Sequence, residues 1–112
     1  MSHARVTVAD LEAEVASEHY FTALDGVLGA VYEGTAADSN RDDAELPATL
    51  GLLTFCVLVL RNGIKVSGES ACVSAANFDA EIGRQLARAN AIGKMWPLLG
   101  FRLADRIAQA QG

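Results

Sequence analysis

The chain has 112 residues, 51% apolar and 21% charged, with a net charge of −5 and a pI near 4.8. That composition excludes a disordered polymer, and the acidic balance excludes general nucleic-acid binding, which needs a basic stripe to displace counterions. The longest uncharged run, Leu46 to Leu60, is too short to span a bilayer. No basic opening leads into an apolar stretch, so a single cytoplasmic domain over residues 1–112 is expected, of a size at which oligomerisation adds useful burial.

In chain order, Thr7-Val8-Ala9-Asp10 has the pattern of a capping box, and Val8, Leu11 and Val15 recur at helical spacing. A first helix over 8–18 follows from this. His19-Tyr20-Phe21-Thr22 is aromatic and β-prone, and Asp25-Gly26 can turn the chain before Val27 to Tyr32; one or both segments are expected to add a strand to a sheet. Residues 34–49 are polar and aperiodic around Pro47, which reads as a variable, flexible loop.

The longest apolar run then leads into Asn62-Gly63, the strongest short hairpin signal, because a type I′ turn needs φ > 0 at both central positions. A two-residue loop places Val59 opposite Val66, Val57 opposite Gly68 and Phe55 opposite Ser70. Leu53, Phe55, Val57, Val59, Ile64 and Val66 then form the expected core face. Leu52, Cys56, Leu58 and Leu60 lie on the other, half-apolar face, which needs a helix or a second copy to cover it. In that register Cys56 and Cys72 point to opposite faces and do not pair.

Past the hairpin, Asn77 is a good N-cap, and Phe78, Ile82, Leu86, Ala89, Gly93 and Trp96 form a stripe at helical spacing. This is the best helix in the chain. The small residues Ala89 and Gly93 allow close approach of another helix, and a symmetry mate is the expected source. Pro97 stops or kinks the helix, and a third one over 97–109 places Leu99, Leu103 and Ile107 on one face. The expected fold class is α+β: an N-terminal helix, a small antiparallel sheet built on a central hairpin, and a C-terminal pair of helices joined at a proline.

No catalytic constellation, cofactor motif or metal set emerges. The histidines are only His3 and His19, the glycines are dispersed, and Glu69 and Glu81 have no spacing that requires them to work as a pair. Charge is uneven: residues 1–50 hold ten acids and two bases, and residues 51–112 hold four acids and seven bases. Either the basic half neutralises the acidic half across the fold, or it offers a local patch to an anion. Arg84 and Arg88, one helical turn apart, suit both readings, since paired guanidiniums also match a phosphate.

Leu52 to Cys72 (LLTFCVLVLRNGIKVSGESAC) and Ala75 to Phe101 (AANFDAEIGRQLARANAIGKMWPLLGF) resemble a family of small tailed-phage and prophage proteins of unknown function. Its members run through a hydrophobic strand, an NG turn, G-E-S-A-C, N-F-D-x-x-x-G, A-R-x-N-A and W-P-L-x-G-Y in this order. Phe101 stands where the family often has tyrosine, and Leu99 where an acid is common. The resemblance implies a phage accessory protein acting on the host and assigns no catalytic residue. Within it, the expected function is an oligomeric binding protein, either an inhibitor of a host protein or a sponge for a nucleotide signal of bacterial immunity. Its ligand site would lie between copies, formed by Tyr20, Asn77, Arg84, Arg88, Asn90, Lys94 and Trp96. The alternatives are a small enzyme of nucleotide or phosphate metabolism and a purely structural protein.

Overall fold

Thr7 opens the first helix as its spacing predicts. Its hydroxyl accepts from the Asp10 amide at 3.2 Å, the Asp10 carboxylate accepts from the Thr7 amide at 2.8 Å, and α1 (Val8–Glu14) follows. The computed structural model describes residues 5–34 and 48–112, and in it α1 ends at Glu14 instead of reaching residue 18. From Val15 the chain is β1 (Val15–Thr22), antiparallel to β2 (Leu53–Leu60), with Tyr20 opposite Cys56 and Glu18 opposite Leu58. Pairing with a strand distant in sequence outweighs the helical spacing of Val15.

A second capping box, at Thr22 and Asp25 (3.1 and 3.0 Å), starts α2 (Ala23–Tyr32). His19 to Thr22 is therefore strand, as expected. Val27 to Tyr32 is helix, because Asp25-Gly26 forms the first helical turn and not a reversal. The loop expected at 34–49 lies outside the described residues except at its ends, Gly34 and a short 3-10 turn over Ala48–Leu52.

The hairpin between β2 and β3 (Lys65–Ala71) corrects the expected register. Among the described residues only glycines have positive φ, so Asn62 does not, and Gly63 alone (φ 89°) turns left-handed. The Gly63 amide donates to the Leu60 carbonyl at 2.9 Å and the Leu60 amide to the Ile64 carbonyl at 2.8 Å, which makes a three-residue loop. Asn62 serves through its side chain, accepting from the Ile64 amide at 3.1 Å. The extra loop residue shifts every pair by one: Phe55 faces Glu69, Val57 faces Ser67 and Val59 faces Lys65.

Because side chains alternate along a strand, that slip moves Val66 and Gly68 onto the face of Cys56, Leu58 and Leu60. This face, expected to be the lesser one, is the core: Cys56 and Leu58 are fully buried and Leu60 nearly so. Leu53, Phe55, Val57 and Val59, expected as core, are half-buried on the opposite face, where Phe21 stacks on Phe55 with ring centroids 5.3 Å apart. Cys72 also changes sides. Its amide bonds the Leu52 carbonyl at 2.9 Å, on the face of Cys56, and both thiols are free.

The long helix α3 (Ala80–Gly93) lies on this core face, capped by Asp79, whose carboxylate accepts from the amides of Glu81 and Ile82 at 2.9 and 3.2 Å. Asn77, the expected cap, ends a 3-10 turn over Ala75–Asn77. The helix meets the sheet through Gly83, Ala87 and Ala91 and not through the stripe of large residues. The approach is so close that a Cβ on Gly68 would stand 2.2 Å from the Ala91 amide nitrogen and 2.3 Å from the Ala87 carbonyl oxygen. Ile82 and Leu86 are consequently left 52% exposed each.

After the single residue Lys94, α4 (Met95–Gln111) takes up the predicted face, with Met95 and Leu99 buried and Leu103 and Ile107 half-buried. Pro97 is its third residue, a position whose N–H would have no helical partner, so the proline fits inside the first turn. The architecture is α+β as expected: an N-terminal helix, a three-stranded antiparallel sheet in the order β1-β2-β3, and a C-terminal helix pair. None of the described helices is long and apolar enough to cross a membrane.

Candidate functional site

Arg88 projects from α3 towards the N-terminal elements. Its two terminal nitrogens bond the Glu12 carboxylate of α1 at 2.8 and 2.7 Å, and its Nε bonds Glu18 of β1 at 3.2 Å. The bidentate pair with Glu12 raises the Arg88 pKa still further above its ordinary value, and Arg88 in turn holds Glu12 below the usual carboxylate range. Arg102 of α4 repeats the pattern, bonding Glu14 of α1 at 2.9 Å and lowering its pKa. Arg88 and Arg102 of the basic C-terminal half thus pair with Glu12, Glu18 and Glu14 of the acidic N-terminal half.

Around Arg88 lies a shallow depression of about 350 Å³, lined also by Glu18, Tyr20, Glu81, Arg84 and Gln85. Tyr20 donates its hydroxyl to Glu18 at 2.8 Å, and partial burial, followed by that bond, pushes the phenol well up. Arg84 bonds Glu81 at 2.8 Å, lowering the Glu81 pKa, and both side chains are largely exposed.

Of the seven residues singled out in the sequence, the fold brings together Tyr20, Arg84 and Arg88. Asn77 lines a separate apolar cleft with Leu52, Phe78, Ile82 and Leu86. Asn90 donates to the Glu69 carbonyl oxygen at 2.7 Å, tying α3 to β3. Lys94 and Trp96 are exposed at the junction of α3 and α4. Sequence reasoning missed Glu12 and Glu18, which occupy Arg88; they lie 76 and 70 residues away from it, and no spacing signals such a pair. His19 bonds Ser17 at 3.0 Å on the opposite face of the sheet, away from these groups. Among the described residues no group of three or more His, Cys, Asp or Glu is placed to hold a metal ion.

Residues 6–107 match the model of the phage protein (N4 Gp49/phage Sf6 gene 66) family. The chain belongs to that family. The match takes in every helix and strand of the fold except the last turn of α4, so α1, the sheet and the α3–α4 pair are this family's architecture as this chain builds it. No curated protein and no solved structure matches the chain.

Proposed function

We propose that this phage protein is a small accessory binding protein of the infected or lysogenic host's cytoplasm, working as a homo-oligomer and sequestering an anionic ligand of nucleotide type. The observation that carries the reading is how the side chains are deployed. Around Arg88 the carboxylates are committed to ion pairs, which leaves no ready base, while Ile82, Leu86, Trp96 and Phe101 stand at the surface of α3 and α4.

Arg88 is clamped by two carboxylates and serves as structure. Arg84 is held by one exposed partner three residues away, and such a pair contributes about 0–1 kcal/mol, so a phosphate can take it over at little cost. Tyr20 and Gln85 border the same depression and offer further polar contacts. A second reading, capture of a host protein, is favoured by the exposed apolar residues of α3 and α4.

Incubation with a panel of cyclic and linear nucleotides, followed by chromatography of the bound fraction before and after heat release, tests the reading. Recovery of an intact ligand, retained by the wild type and lost in Arg84→Ala with its thermal midpoint unchanged, is the expected outcome. A chemically altered nucleotide would make the chain an enzyme, and no retention of any nucleotide would reject the sponge.

A further inference from the structure

We infer that the cleft between α1 and α4 is a second binding site, which takes a small phosphate monoester bearing hydroxyl groups, with Arg5 and Arg106 holding the phosphate. The cleft is about 270 Å³ and shares no lining residue with the depression around Arg88. It is therefore independent of the nucleotide reading above, and either can fail without the other.

The walls follow from local spacing. On α4, Leu99, Arg102, Leu103 and Arg106 recur at helical intervals, so the two arginines stand one turn apart on the face that carries the two leucines. Leu99 is buried and Leu103 and Val6 are half-buried, which gives the cleft an apolar floor beneath charged walls. Arg5 lines the same cleft from just ahead of α1. Its backbone is anchored on the following side, since Val6 packs against the core and Thr7 is held by the capping box.

Pairing inside the cleft leaves positive charge over. Asp10 accepts from the Thr7 amide through Oδ2 at 2.8 Å, and Glu14 accepts from one nitrogen of Arg102 at 2.9 Å. Among the described residues, Arg5 and Arg106 have no hydrogen-bond or ion-pair partner. Glu14 is held below the usual carboxylate range by its bond to Arg102 and then by the charges of Arg61 and Arg106, so a further guanidinium stands close by. Two unspent guanidiniums on one cleft offer paired N–H donors to the oxygens of a phosphate monoester. The carboxylates decide what that phosphate is attached to. Asp10 Oδ1, which accepts no bond among the described residues, can take a ligand hydroxyl, and the apolar floor receives a carbon skeleton. The volume lies below the roughly 300–1,000 Å³ of pockets for drug-sized ligands, so the skeleton has only a few carbons.

Glycerol phosphate is the probe, titrated by isothermal calorimetry into the full chain carrying Arg84→Ala, so that Arg84 does not contribute. The expected result is saturable binding of one glycerol phosphate per chain. Arg106→Gln or Arg5→Gln should weaken it at least about tenfold, the effect of losing one charge-assisted bond. Both side chains are exposed and unbonded among the described residues, so circular dichroism and the thermal midpoint are expected to stay as they were. Inorganic phosphate should bind more weakly than glycerol phosphate, and glycerol should not bind. No saturation at millimolar glycerol phosphate, or an affinity that survives both substitutions, overturns the site. Inorganic phosphate binding as tightly as glycerol phosphate overturns the hydroxyl-bearing class of ligand.

Discussion

Gly68 decides how near the long helix can come. With no Cβ, it lets the backbone of α3 rest on β3 at Ala87 and Ala91, and both the close packing and the outward turn of Ile82 and Leu86 depend on that contact. Gly68→Ala would place a carbon against backbone atoms that cannot rotate away, so α3 must lift or β3 must bend. A loss of about 3 kcal/mol or more is expected in denaturant unfolding, at the upper end of overpacking costs. An alanine variant within about 0.5 kcal/mol of wild type would mean that the helix does not sit where the fold places it. In the sequence this glycine reads as one of ten, because nothing local distinguishes a contact glycine from a turn glycine.

Among the elements, α1 is anchored by the fully buried Leu11 and tied to two helices by charge. Glu12 and Glu14 are its links to α3 and α4, and Arg88 and Arg102 lower both pKa values from the ordinary 4.5. A carboxylate whose folded pKa is depressed contributes stability that is fully present above its unfolded value and is lost as pH falls through the folded one. The thermal midpoint should therefore hold above pH 4.5 and drop as the solution is made more acidic. Arg88→Met should cost about 1 kcal/mol at neutral pH, since Glu12 and Glu18 are well exposed and screened. The variant's midpoint should also fall less on acidification, because Glu12 then has no depressed pKa to lose. Parallel acid profiles for the two proteins would show that Arg88 is not the anchor of α1.

For the whole molecule, the orientation of α4 settles which apolar residues build the core and which remain on the surface. Met95 and Leu99 are buried with Leu11 and Leu60, whereas Phe101, two residues beyond Leu99, is 72% exposed. Leu99→Ala should cost about 2–4 kcal/mol as a core truncation. Phe101→Ala, although it removes a larger side chain, should change the stability of a single chain by less than about 0.5 kcal/mol. Equal losses at the two positions, read from urea midpoints at a concentration favouring one chain, would rotate α4 relative to the sheet.

The sequence by itself determined the elements governed by neighbours a few residues apart. The Thr7 capping box, the presence though not the register of the hairpin at Asn62-Gly63, the body though not the Asp79 cap of the long helix, and the Leu99, Leu103, Ile107 face are legible, because caps, turns and helical periodicity act over three or four residues. Thr22 and Asp25 carried the same signal as Thr7 and Asp10, and the β-prone residues beside them obscured it. Tertiary structure alone decided which face of β2 is core and what Arg88 does. The apolar content of the two faces of β2 is nearly equal, so the choice fell to Gly68 and the small side of α3, which only the completed fold brings together. Of the residues expected to bind a ligand, only Tyr20, Arg84 and Arg88 converge, since that grouping depends on β1 lying beside α3 and not on any spacing along the chain.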